Sequence, residues 1–133
     1  MKQYIGQIAL VVEDYDEAIN FYTQKLNFDL IEDTVLSETK RWVVVAPKDS
    51  DGCRLLLAKA TTEEQKSRIG NQTGGRVFLF LYTNDIWRDY ENMQRAGISF
   101  VRKPVKDSFG TAAVFQDLYG NLWDLIQLGS KNS

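Results

Sequence analysis

Histidine is absent from this chain of 133 residues. That removes the side chain that most often acts as a general base near neutral pH and most often ligates transition metals. Ser-His and Cys-His nucleophile pairs are excluded with it, as are His-rich zinc and non-haem iron sites. Any chemistry must rest on carboxylates, Lys, Tyr, amides or a cofactor. The single cysteine, Cys53, allows no intramolecular disulfide and agrees with a reducing compartment. With no histidine to activate it, its expected part is structural. Charge of one sign is also lacking: 16 Lys and Arg against 18 Asp and Glu, spread along the chain, leave a net −2. That offers no basic face to phosphate backbones or anionic lipid. No apolar run approaches the roughly 20 residues of a membrane span, and the N-terminus MKQYIGQIAL has no continuous signal-peptide core. Nucleic acid and membranes are therefore not expected as partners, and the expected location is cytoplasmic. The length suits one domain, 1–133, that buries a core without disulfide or structural metal.

What is present is an internal repeat. IGQIALVV (5–12) is an apolar, β-branched run that reads as a buried strand. It runs into DYDEAINFYTQKLNF, where Asp14 is placed to cap and Tyr15, Ala18, Ile19, Tyr22 and Leu26 recur at helical spacing. FDLIEDTVL, RWVVVAP and CRLLLAKA then read as three strands, the last two separated by the turn KDSDG. The order strand, helix, strand, strand, strand returns after residue 75. RVFLFLY answers QIALVVE, Thr83 takes the capping place of Asp14, and TNDIWRDYENMQRAG repeats the helix. ISFVRKP, TAAVFQD and GNLWDLIQL supply the last three strands. The offset is 69 from Gln7 to Arg76 and 68 from Leu56 to Asp124, so register holds through a whole module. The first module spans about 4–60, a polar linker about 61–75, and the second module about 76–129. Within the linker Thr61 and Glu64 are placed to cap a short helix, and the segment reads either as a solvated hinge or as a mobile cover over a ligand.

The phrases IALVVEDYDEAINFYTQKLNFDL, GGRVFLFLYTNDIWRDYENMQRAGISFVRKP and AVFQDLYGNLWDLIQ resemble the glyoxalase/bleomycin-resistance/extradiol dioxygenase (vicinal oxygen chelate) superfamily over nearly the entire chain. Asn27 stands where members usually carry Gly, and Leu118-Tyr119 depart from the family's Asp-Pro-Asp-Gly-Asn turn while keeping its Gly-Asn centre. The resemblance implies an α+β fold of two βαβββ modules forming an open, curved mixed-sheet barrel, with helices outside and a cavity inside. It also implies a homodimer. In that family a divalent metal is held by side chains from the first and last strands of each module, places that fall here on Gln7, Leu56, Arg76 and Asp124. Gln7 and Asp124 offer oxygens, Leu56 offers nothing, and Arg76 is a permanent cation. That set does not make a competent metal site, and no cofactor is expected.

Strand parity extends the set. If Arg76 faces inward, so do Phe78, Phe80 and Tyr82; Ala9 and Val11 accompany Gln7, Leu122 and Ile126 flank Asp124, and Arg54 and Ala58 flank Leu56. An ion pair between Arg76 and Asp124 is expected in the place of the metal, because unpaired charges in an apolar cavity are costly. Trp42 and Trp87 are read as rim or interface residues, and Arg102, Lys103 and Lys106 as a solvated strand end. Three functions remain open. One is metal-free binding of a small apolar or aromatic, or anionic, molecule by Gln7, Leu56, Arg76, Phe78, Phe80 and Tyr82. Another is a glyoxalase-like lyase or isomerase, or dioxygenase-related enzyme, with Asp124 as catalytic base and a metal or Arg76 as electrophile. The last is a scaffold whose cavity is filled by its own aromatics.

Overall fold

The computed structural model describes residues 2–129 and divides into two compact units, Met1–Ile69 and Gly70–Ser133. In the first unit β1 (Gln7–Val12) leads into α1 (Tyr15–Asn20), which widens into a π-helical segment, Phe21–Lys25. β2 (Asp29–Val35), β3 (Arg41–Ala46), β4 (Arg54–Lys59) and the short α2 (Glu63–Ser67) follow. The second unit contains β5 (Val77–Tyr82), α3 (Ile86–Arg95), β6 (Phe100–Asp107), β7 (Gly110–Gln116) and β8 (Leu122–Leu128). Each unit is a βαβββ module with a four-stranded mixed sheet. The orders are β1-β4-β3-β2 and β5-β8-β7-β6. In each, the first strand pairs parallel with the last and the remaining pairs are antiparallel. A parallel neighbour requires a crossover of a dozen or more residues, which the helix and the intervening hairpin provide.

The elements form where local chemistry dictates. Asp14 holds extended backbone and its carboxylate accepts from the Glu17 N–H at 2.9 Å, opening α1. The helix closes on Asn27 at φ 62°, a left-handed residue, and α3 closes on Gly97 at φ 88°. Asn is the non-glycine residue that tolerates this conformation best, which explains why it can stand in the glycine's place. Two caps differ from the sequence expectation. Asp85, not Thr83, caps α3 by accepting from the Arg88 N–H at 3.1 Å. Thr83 instead accepts from the Asp85 N–H and donates to the Asp89 carboxylate. Thr62, not Thr61, caps α2 through the Gln65 N–H. In both cases the hydroxyl or carboxylate nearest the first helical residue takes the free N–H groups, while the earlier threonine finds a side-chain partner instead.

One face of each sheet is buried in its own unit. Leu10, Val12, Ala18, Tyr22, Val43, Val45 and Leu57 form the first core and Ile86, Ala113, Phe115, Trp123 and Leu125 the second. At about 1.5–3 kcal/mol for each large apolar side chain fully buried, these contacts outweigh any single cap. The other face carries Gln7, Ala9 and Val11 on β1 and Phe80 and Tyr82 on β5, exposed or half-buried. Among the described residues no helix is long and apolar enough to cross a membrane.

Candidate functional site

In the first unit, register places the expected residues together. Gln7 lies opposite Arg54, Ala9 opposite Leu56 and Val11 opposite Ala58; Leu56 in turn lies opposite Val44, and Val44 opposite Glu32. Partners across a ladder share a face, so Gln7, Ala9, Val11, Arg54, Leu56, Ala58, Val44 and Glu32 form one surface. Leu56 sits in its middle with no donor atom.

The second unit carries the matching row. Arg102 on β6 lies opposite Val114 on β7, Val114 opposite Asp124 on β8, and Asp124 opposite Phe80 on β5. Tyr82 lies opposite Ile126 on the same face. Phe80 and Tyr82 are 56% and 60% exposed, so their rings are available as a platform. Asp124 is half-buried among these apolar neighbours. Burial pushes its carboxyl above the usual range, and the positive charge of Arg102 partly opposes the shift. Among the described residues no hydrogen bond or ion pair reaches the Asp124 carboxylate.

The expected Arg76–Asp124 ion pair does not form. Arg76 is exposed and precedes the first residue of β5; the charge that acts on Asp124 is Arg102, from a segment read in the sequence as a solvated strand end. The physical reason is a bulge. Val77 lies opposite Leu122 and Leu79 opposite Trp123, so Phe78 has no ladder partner. Gln7 lies opposite Arg54, whose counterpart at the 68-residue offset is Leu122. The counterpart of Gln7 is accordingly Val77, one residue on from Arg76. Phe78 is half-buried at the bulge, and Phe80 and Tyr82 beyond it keep the expected face.

A second set of groups was not legible in the sequence. At the end of the first sheet, Val11, Leu56, Leu57 and Ala58 floor a groove of about 430 Å³ walled by Tyr15, Trp42, Thr39, Lys40, Arg41, Lys59, Thr61 and Gln65. Arg41 is held in place. Its Nε and Nη2 donate to Asp33 at 3.1 and 2.7 Å, and its Nη1 donates to Asp16 at 2.9 Å. Its guanidinium carbon stands 5.2 Å from the centre of the Tyr15 ring. These bonds hold the Asp33 carboxyl below its usual range and push the guanidinium further up. Among the described residues no group of three or more His, Cys, Asp or Glu is arranged to hold a metal.

Comparison with known proteins agrees with this architecture. A protein of Shewanella frigidimarina (strain NCIMB 400) is 65% identical over 132 residues, covering 98% of each chain. The crystal structure of UcmS2 matches with a TM-score of 0.83 at 33% identity, covering 95% of this chain and 98% of that one. TnmS3, an antibiotic binding protein from Streptomyces sp. CB03234, matches with a TM-score of 0.77 at 27% identity, covering 96% and 98%. The sequence signature of the Glyoxalase/Bleomycin resistance protein/Dioxygenase superfamily matches residues 4–125. Two βαβββ modules, sheets in the orders found here, and a signature running through nearly the whole chain lead to one assignment: the chain belongs to the Glyoxalase/Bleomycin resistance protein/Dioxygenase superfamily.

Proposed function

We propose that this protein binds a small apolar or aromatic molecule without a metal. The observation that carries the reading is the exposure of Phe80 and Tyr82 beside a half-buried Asp124, on a sheet face that also carries Val114, Leu122 and Ile126. Exposed aromatic rings cost free energy in water and gain it when a flat ligand covers them. Within the second unit Phe78, Phe80 and Tyr82 are assigned to ligand contact, with Arg76 as an exposed cation at the start of β5; within the first, Gln7 and Leu56 are the assigned contact residues on the open face of their own sheet. The similarity to TnmS3, an antibiotic binding protein, supports the same class of function. The donors do not fit a divalent ion: Leu56 supplies no lone pair, Val77 as the counterpart of Gln7 supplies none either, and Asp124 lies in reach of the positive field of Arg102.

A homodimer and a cytoplasmic location belong to the same reading. Tyr4 and Ile5 are 90% and 73% exposed, which suits contact with a second copy, and the lone thiol suits a reducing compartment. The glyoxalase-like lyase or isomerase reading draws on Asp124, whose raised pKa suits a general base. It lacks an electrophile, since no cation stands within ion-pair distance of that carboxylate among the described residues.

Two measurements test the binding reading. Calorimetric titration with neutral aromatic probes, 2-naphthol and anthraquinone, is expected to give saturable binding that Phe80→Ala weakens at least about threefold. Nickel, zinc and manganese are expected to leave Tm within about 1 °C. Stoichiometric metal with marked stabilisation, together with no aromatic binding, would overturn the proposal.

A further inference from the structure

We infer that the groove at the end of the first sheet selects anionic ligands: it takes the carboxylate of an aryl acid between Lys40 and Lys59, with the ring against Trp42 and the apolar floor. The inference rests on the reading of the protein as a small-molecule binder and adds a place within the first unit, with the charge of the ligand it takes.

The groove has the dimensions of a small-molecule site, about 430 Å³ against the roughly 300–1,000 Å³ common for such sites. Its floor is apolar: Val11, Leu56 and Ala58 share one face of the sheet. Trp42 is half-buried at the wall, so one part of the indole is packed and another is left for a ligand. Among the described residues no Asp or Glu lines it.

The charges around it are unequal. Of the three cations, Arg41 is already engaged by Asp16, Asp33 and Tyr15 and serves as a rigid wall. Lys40 and Lys59 have no ion pair among the described residues, and both line this groove and the adjoining one of about 310 Å³. Asp14 and Glu38 line only the adjoining groove. The main groove therefore carries two lysines that make no ion pair among the described residues, in a chain whose net charge is −2.

A neutral donor stands with them. The Gln65 Oε1 accepts from the Thr61 N–H at 2.8 Å and from the Thr61 hydroxyl at 3.1 Å. Both bonds fix the amide, and its NH2 group has no partner among the described residues. Two ammonium groups and an oriented amide donor, above an apolar floor, fit a carboxylate on a flat ring. They do not fit an amine, for which the groove supplies no counter-charge.

The test compares 2-naphthoate with its neutral isostere 2-naphthamide on the full-length protein. By calorimetry at low salt, naphthoate is expected to bind about tenfold tighter, as two exposed ion pairs of ordinary strength allow. Lys59→Gln and Lys40→Gln are each expected to weaken naphthoate about threefold and leave naphthamide unchanged. Added salt should narrow the gap between the two ligands. The indole N–H resonances, assigned with Trp42→Phe, locate the site: Trp42 is expected to shift with naphthoate while Trp87 and Trp123 stay. If naphthamide binds as tightly as naphthoate, or the Trp42 signal stays still, the anion site is wrong and the binding reading stands. If neither compound binds, both fall.

Discussion

At the scale of single residues, two aspartates show how one side chain type takes opposite roles. Asp33 accepts two hydrogen bonds from Arg41, which hold its carboxyl below the usual 3.8. Its stabilising effect is present at neutral pH and is lost as pH falls through the folded-state value. Asp124 behaves in reverse. Burial raises its carboxyl, so the folded state binds the proton more tightly than the unfolded chain. The cost of its charge is absent below the ordinary 3.8, grows as pH rises through the raised value, and is complete at neutrality. Asp124→Asn is therefore expected to raise Tm at neutral pH by about 2 °C and to give no gain near pH 3, where both states are protonated. Thermal unfolding followed at both pH values checks this, and equal effects at the two would rule out the burial argument. The same residue shows how far the sequence reaches. Its place on the last strand was legible from the repeat, but its electrostatic partner was not. Arg102 and Asp124 are separated by a whole strand, and only the pairing of β6 with β7 and β7 with β8 puts them in one row.

At the scale of elements, bulges and turns decide which side chain faces where. The bulge at Phe78 moves Arg76 off the place of Gln7, and similar irregularities lie on either side of Arg102 in the β6–β7 pair. Pro104 falls in the second of these, where a residue without an N–H is least costly to a strand. Alternation alone cannot detect an inserted residue, which is why the expected ion pair failed while Phe80 and Tyr82 kept their face. The hairpin between β6 and β7 makes the sharpest demand. Gly110 has φ 147°, and a Cβ placed there would stand 2.2 Å from the Gln127 carbonyl oxygen. That contact is with backbone on the neighbouring β8, so relief requires separating two paired strands. Gly110→Ala is expected to cost more than about 2 kcal/mol, whereas Gly120→Ala, which meets no atom within 4 Å, should cost only its positive-φ strain of about 1 kcal/mol. Urea unfolding of the two variants measures the difference; equal losses would show that strand separation is not required.

At the scale of the whole molecule, each unit leaves two sheet edges within its own module: β1 and β2 in one, β5 and β6 in the other. Edge strands present unpaired backbone groups that proteins usually cover, and exposed Tyr4 and Ile5 lie next to β1. Sedimentation equilibrium is expected to give twice the chain mass of 15.3 kDa; a single species at the chain mass would remove the homodimer from the reading. The repeat itself was fully legible. Capping carboxylates, helical spacing and short apolar runs are local signals, and they occur twice at a nearly constant offset, so both βαβββ modules and the family could be read before any coordinates. Boundaries were legible to within a few residues, as the shifts from Thr83 to Asp85 and from Thr61 to Thr62 show.

The chain by itself determined its two modules, the order of strands and helix along each and the lack of histidine chemistry, because these depend on local propensity, periodicity and residue type. Tertiary structure alone decided which charges act on one another. It turned Arg76 to solvent, set Arg102 in the row of Asp124, bound Arg41 to two aspartates, and gathered Lys40, Lys59, Trp42 and Gln65 around one groove. Those outcomes rest on the register between strands distant in sequence, and one inserted residue is enough to change them.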